Sequence, residues 1–283
     1  MCLFKLAAYA KLMRLHQPVG FFLLLWPTLW AFWVASHGQP NKFLVFLFFV
    51  GALLMRSAGC VINDIADYRF DGNVTRTKNR PLVVGTVSIF EALLLFFSLL
   101  CMAFLLTFFV NHLTLLLAFF GAILAIFYPF SKRFTHFPQS FLGLAFAWGV
   151  PMAFAAQTGH VSSIAWYLYL IAGLWTFTYD TIYAMVDRED DRKIGMKSSA
   201  ILFKKFDILI ILLLQIILLL MLIILGSKLN LNKYYYMAIL VALCLFIYQQ
   251  ILVKRRNPKQ CFKAFLNNQW VGLVMFLGFV FGM

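Results

Sequence analysis

The chain has 283 residues, of which 63% are hydrophobic and only 12% charged, with a net charge of +14. A soluble domain carries about twice that charged fraction, and apolar runs of about 18 residues recur throughout, so the composition excludes a soluble fold and predicts an all-α integral membrane protein. The basic excess reads as charge asymmetry across a lipid bilayer, and no nucleic-acid partner is expected.

The first segment, "MCLFKLAAYAKLMRL", is short, basic and partly amphipathic, and it predicts a helix lying in the membrane interface. It lacks a secretory cleavage pattern and is shorter and poorer in Ser and Arg than a mitochondrial transit peptide, which points to a bacterial inner membrane. About nine spans follow, at 18–36, 43–62, 88–110, 113–130, 139–157, 162–182, 206–226, 234–253 and 264–282. The connections leave no room for a soluble domain, so 1–283 is expected to be one domain, a helical bundle. With the N-terminus cytoplasmic, all but four of the 24 Lys and Arg fall on cytoplasmic segments. Lys42, Lys228 and Lys233 face outside, and Arg56 lies within the second span.

An arginine inside "FFVGALLMRSAGCVI" is costly, and two readings stand: a role in an internal cavity, or a snorkelling or structurally paired side chain. The second span then runs into "NDIADYRFDGN", which packs Asp64, Asp67 and Asp71 into eight positions. The sixth runs into "YDTIYAMVDREDD", which holds Asp180, Asp187, Glu189, Asp190 and Asp191. Only two of the ten acids, Glu91 and Asp207, lie elsewhere. The two clusters are four helices apart, a spacing that suggests duplication of a four-helix unit by topology alone. The seventh span is almost uniformly aliphatic; its Gln215 is expected to make a helix–helix hydrogen bond. The five cysteines and five histidines are dispersed, without metal-ligand spacing, and the cysteines read as packing residues.

Asn63, Asp67 and Asp71 are spaced i, i+4, i+8 and share one helix face. Asp187 and Asp191 are again four apart, with Asp180 seven residues earlier on the same face, whereas Glu189 and Asp190 point away. Carboxylates this close repel unless a cation lies between them. Oxygen-only ligands favour Mg²⁺, which binds through one or two carboxylates and substrate phosphates. Arg76, Lys78 and Arg80 in "RTKNRPL", and Lys132 and Arg133 in "YPFSKRFTH", are suited to clamp phosphate oxygens. No GxxxxGK[ST] loop is present, so the expected ligand is a lipid diphosphate rather than a nucleotide.

"NDIADYRFD" and "DREDD" resemble the two aspartate motifs, NDxxDxxxD and DxxxD, of the UbiA family of intramembrane prenyltransferases. "LLLWPTLWAFWVA", "RTKNRPL", "YPFSKRFTHFPQ", "YDTIYAMVDREDDRKIGMKSSAILF" and "CFKAFLNNQWVGLVMFLG" are similar to the branch that acts on 4-hydroxybenzoate. The resemblance implies nine helices around a central cavity, a lateral opening for the isoprenoid tail, and Mg²⁺ held by Asn63, Asp67, Asp71, Asp187 and Asp191. The implied reaction moves a polyprenyl chain from polyprenyl diphosphate to the ring carbon ortho to the hydroxyl of 4-hydroxybenzoate, in ubiquinone biosynthesis, at the cytoplasmic face. By the same resemblance Asp64 fills the second position of the first motif and Asp180 an acidic position upstream of the second. Arg76, Arg80, Tyr128 and Lys132 sit where relatives contact diphosphate or the allylic group, Arg133 matches a branch arginine linked to substrate handling, and Arg56 a cavity arginine for the acceptor carboxylate. Two rivals remain on the sequence: the same chemistry on another aromatic acceptor, and an ion or organic-anion transporter.

Overall fold

The structure is a computed structural model that describes residues 2–72 and 76–283, with the side chains of residues 2–4 and 70 outside the description. Of the cysteines read as packing residues, Cys2 is therefore outside it. The other four are free, Cys60 and Cys261 buried and Cys101 and Cys244 exposed. The described residues are helical and connected by short loops. In chain order the helices are α1 (Cys2–Leu12), α2 (Val19–Ala35), α3 (Lys42–Asp71), α4 (Ile89–Leu106), α5 (His112–Ser131), α6 (Pro138–Ala147), α7 (Gly149–Thr158), α8 (Ser163–Lys193), α9 (Ser199–Phe203), α10 (Asp207–Lys228), α11 (Lys233–Val253) and α12 (Pro258–Gly282).

Starts are set by local chemistry. Ser88 and Glu91 form a reciprocal capping box on α4, and Asn111, Ser162 and Asn232 cap α5, α8 and α11. Asn257 caps α12, whose first residue is a proline. Each of the nine expected spans coincides with a helix or with the α6–α7 pair. Among the described residues, seven segments are long and apolar enough to cross a membrane. The other two are α2, which is shorter at 17 residues, and α8. The interior of α8 carries Trp175, Thr176, Thr178, Tyr179 and Thr181 on buried positions, and its last turns are charged. Its polarity is hidden in the bundle rather than turned to lipid. The break between α6 and α7 falls at Trp148, just before Pro151, whose ring cannot accommodate the carbonyl four residues back.

The main core is built by α2, α7, α8, α10, α11 and α12, around Trp30, Phe32, Trp175, Tyr235 and Phe279. A second core joins α1, α3 and α4 through Leu12, Ala58, Val61 and Phe96. A third, with Ile182, Ile211, Val253 and Cys261, ties the far end of α8 to α10 and α12. A polar thread fixes the main core inside the membrane. Gln215 donates to Gln249 at 3.0 Å, Gln250 donates to Gln215 at 2.8 Å, Gln249 donates to Asn267 at 3.0 Å, and Trp175 donates to Asn268 at 3.1 Å. Gln215 thus makes the interhelical bond expected of it. Leu209, Leu213, Ile216, Leu220 and Ile224 of α10 are exposed, as a lipid-facing helix requires.

α6 and α8 cross with backbones in contact, because both helices place glycine at the crossing. A Cβ on Gly143 would stand 2.8 Å from the Gly173 carbonyl oxygen, which is backbone and cannot turn aside. Gly143→Val is therefore expected to push α6 off α8 at a cost of roughly 1–3 kcal/mol. Thermal unfolding in detergent should show a lower midpoint than wild type, while Gly159→Val, where a Cβ meets open space but φ is +78, should lower it less.

Candidate active site at the charged end of the bundle

The C-terminal ends of α3, α5 and α8 meet at one end of the bundle, and the loops that follow them close over a cavity of 160 Å³. Both aspartate motifs open into it. Asn63, Asp67 and Asp71 line it from α3, and Asp180, Asp187 and Asp191 from α8. Tyr128 and Lys132 enter from α5, and Arg76 and Arg80 from the loop after α3. Ten of the fourteen residues singled out in the sequence as candidate ligands are thus brought together.

Three of the carboxylates carry a cation. Lys132 donates to Asp67, Arg80 to Asp71, and Arg76 makes a forked contact with Asp187 at 3.0 and 2.6 Å. The Arg76 guanidinium also lies over the Tyr183 ring, 5.0 Å from its centroid. Among the described residues Asp191 has no ion-pair partner. Burial, and then repulsion by Asp187, push its carboxyl up to about 7. Asp71 is also raised by burial, against the pull of Arg80. The Oδ1 of Asp67 is buried without a hydrogen-bond partner, although Lys132 satisfies Oδ2.

These features fit a hard divalent cation. The donors are carboxylate and amide oxygens, one is an orphaned acceptor, and the Asp187–Asp191 face has more negative charge than its neighbours offset. Among the described residues no three His, Cys, Asp or Glu side chains converge into a ready-made cage. That agrees with Mg²⁺, which completes its shell with phosphate and water rather than with protein alone.

Four predicted residues lie elsewhere, of which Lys78 is exposed on the loop after α3 rather than lining the cavity. Asp64 is buried beneath the cavity floor, where it accepts from Arg14 at 2.7 Å and pairs with Arg80 at 3.0 Å. Arg133 turns to the opposite side of its loop and donates to the Ala66 carbonyl, with its guanidinium over Phe130. Arg56 lines a second cavity instead. Off the site, Glu189 is exposed and Asp190 pairs with Lys193 at 3.7 Å. Sequence reasoning missed Arg14, Thr77, Gln139 and Tyr183, which also line the cavity. Arg14 follows helix α1, which is anchored through Lys5 and Tyr9 to Glu91 at 2.8 and 3.0 Å. A cation directly before the first span was its one available signal.

The second cavity measures 650 Å³ and is almost wholly apolar. It runs between α2, α3, α4, α5 and α7, from Arg56 and Tyr128 near the charged end to Thr107 and His112 at the far end of α4 and α5. From Tyr128 to His112 is about 24 Å of helix, most of a bilayer core. Leu116 and Phe119 line this cavity and are 53% and 64% exposed, so its α5 wall is not sealed inside the bundle. Arg56 sits at its charged end with its guanidinium 5.7 Å from the Phe146 ring centroid and closely over Gly20, where a Cβ would clash with it. Arg56 thus lines an internal cavity, though not the one lined by Asn63, from which two helical turns separate it. Tyr128 borders both cavities.

Residues 24–280 match the model of the UbiA prenyltransferase family. The chain is 53% identical to a 4-hydroxybenzoate octaprenyltransferase from Coxiella burnetii, over 95% of this chain and 94% of that one. It is 52% identical to the protein of the same name from Vibrio atlanticus, over 97% of this chain and 96% of the other. Among solved structures, the apo structure of a UbiA homolog from Aeropyrum pernix superposes with a TM-score of 0.79 at 24% identity, covering 91% of this chain and 96% of that one. A UbiA homolog from Archaeoglobus fulgidus bound to GPP and Mg²⁺ superposes with a TM-score of 0.73 at 17% identity, covering 97% and 98%.

Asp64 is the hinge of this charge network, since Arg14 and Arg80 both lean on it. Asp64→Asn is expected to release Arg14, to leave Arg80 held by Asp71 alone, and to weaken binding of inorganic diphosphate in the presence of Mg²⁺ about tenfold, or about 1.4 kcal/mol. Isothermal titration of the detergent-solubilised protein reads this directly, and unchanged affinity would refute it.

Proposed function

The chain belongs to the UbiA prenyltransferase family, and from that premise we propose how its residues transfer a polyprenyl chain from its diphosphate to 4-hydroxybenzoate. The enzyme is a 4-hydroxybenzoate polyprenyltransferase of ubiquinone biosynthesis. The observation that carries the site assignment is that Tyr128 lines both the polar cavity holding residues of both aspartate motifs and the large, mostly apolar cavity beside it.

In this reading the diphosphate lies in the polar cavity and the isoprenoid tail in the apolar one, leaving through the lateral opening. Asn63, Asp67, Asp71, Asp187 and Asp191 hold Mg²⁺. When bound, the metal supplies positive charge that offsets the charge of the diphosphate leaving group. Lys132, Arg76 and Arg80 move from their aspartates to the diphosphate oxygens, since each already stands at the cavity wall with its charge matched. Departure of the diphosphate leaves an allylic cation at the junction of the cavities. The ring face of Tyr128 stabilises it, and the apolar walls keep water away.

Arg56 anchors the carboxylate of 4-hydroxybenzoate, which presents the carbon ortho to the hydroxyl to the cation. Asp180 lines the cavity from α8, within electrostatic reach of Arg56, and takes the phenolic or ring proton. Arg133 acts at one remove, holding the loop of Lys132 against α3 through the Ala66 carbonyl. The basic loops support placing this end at the cytoplasmic face of a bacterial inner membrane. The relatives' names make octaprenyl diphosphate the first donor to test.

Purified enzyme in detergent, given octaprenyl diphosphate and labelled 4-hydroxybenzoate, is expected to form prenylated product with Mg²⁺ and none with EDTA. Asp67→Asn and Asp191→Asn should each lower the rate at least about 100-fold. Retention of full activity in either would overturn the metal assignment. Arg56→Met is expected to raise KM for 4-hydroxybenzoate roughly tenfold, with KM for the donor unchanged. Equal rises in both would remove Arg56 from the acceptor site.

A further inference from the structure

Asp207 is one of the two acids outside the clusters, and it is fully buried. It stands at the first residue of α10, where its Oδ1 accepts from the Ile208 backbone N–H at 2.7 Å. Two arginines converge on it. Arg188, inside the second motif, donates from Nη2 to Oδ2. Arg256, in the turn between α11 and α12, donates from Nη2 to Oδ1 at 2.7 Å and from Nε at 3.2 Å. Arg256 reaches there from a left-handed backbone, φ +51, and also donates to the Lys205 carbonyl at 3.0 Å. One carboxylate therefore gathers the ends of three elements behind α8.

The consequence lies in Arg188. It follows Asp187 directly, so the helix turns it about 100° from the cavity face. Its side chain is 11% exposed, and its Nε is buried without a partner. Asp191 lies three residues on, within the one-turn reach at which helical side chains pair. In the structure Arg188 makes its ion pair with Asp207 instead, and Asp191 has no ion pair among the described residues. Asp207 holds a cation away from a carboxylate that the helix would otherwise offer it.

We propose that Asp207 is a positioning residue of the reaction: by holding Arg188 on the far flank of α8, it keeps Asp191 free of an internal counter-ion and open to a divalent cation. This rests on the reading of Asp191 as a metal ligand. A purely structural clamp would alter stability, not cation affinity. The sequestered guanidinium makes a different demand: affinity falls when Asp207 loses its charge and returns when Arg188 loses its own.

The test is binding of Mn²⁺ by the full-length protein in detergent with inorganic diphosphate, read as loss of the free-Mn²⁺ spin-resonance signal, with the thermal midpoint measured alongside. Asp207→Asn is expected to weaken Mn²⁺ binding about tenfold. The double variant Arg188→Gln with Asp207→Asn should return within about twofold of wild type, although both variants unfold at lower temperature. Wild-type affinity in Asp207→Asn, or a double variant as weak as the single, would overturn the proposal. If Asp207→Asn does not fold, the double variant decides: near-wild-type binding supports the proposal and tenfold weaker binding overturns it. Asp191→Asn is the control for the underlying reading, which falls if that variant binds Mn²⁺ like wild type, whatever Asp207 does.

Discussion

A carboxylate withdrawn from water at the edge of a bilayer must have a positive partner, and that constraint organises this molecule. Removing one partner of a buried ion pair costs roughly 3–5 kcal/mol, far more than an exposed pair contributes. The acids are few, and six of the ten tie different elements together. Glu91 holds α1 through Lys5 and Tyr9. α1 in turn delivers Arg14 to Asp64, Asp64 shares Arg80 with Asp71, and Asp207 fastens three helix ends with Arg188 and Arg256. What is left is a small, deliberate imbalance around Asp67, Asp187 and Asp191, where the charge is offset only in part. In the proposed reading the site receives a dication and a polyanion together, which calls for charge of both signs, and the adjoining Lys132 and Arg76 supply the positive part.

Polar and apolar chemistry are separated by a single helix. α5 ends at Ser131 and contains Pro129, and within its last turns Tyr128 and Lys132 are one turn apart on the same face. Lys132 belongs to the charged cavity, whereas Tyr128 borders both. The bond to be broken joins a phosphate to an isoprenoid, so it has to lie where these two environments meet. The phenol ring is thus located by the substrate's own polarity change.

The spans were legible because a bilayer imposes length and hydrophobicity together, a strong double constraint on sequence. The two aspartate ladders were legible because acids are scarce here and their i, i+4 spacing is helical. Asp64 shows what periodicity knew and motif resemblance did not: one residue on from Asn63, it is turned about 100° off the ladder, and it is indeed beneath the cavity rather than in it. Arg133 stands to Lys132 as Asp64 stands to Asn63, and it too faces away. Arg14 and Gln139 were not legible as site residues, since each reaches the cavity only through packing between distant segments, whereas Tyr183, three residues after Asp180 and four before Asp187, shares their helix face and was legible by spacing. The division of the fifth span into α6 and α7 carried a local mark in Pro151, which hydropathy alone smooths over.

On the proposed route past Leu116 and Phe119, the enzyme meets its donor within the plane of the membrane. A tail that enters and leaves within the plane of the lipid never passes through water, so encounter is governed by the donor's mole fraction in the membrane, not its amount per volume. Adding inert phospholipid at fixed total donor then dilutes the substrate as surely as adding solvent dilutes a soluble one. The product, which carries the ring in place of the diphosphate and keeps the apolar tail, returns to the same two-dimensional pool, where diffusion along the sheet sets how soon any later enzyme finds it.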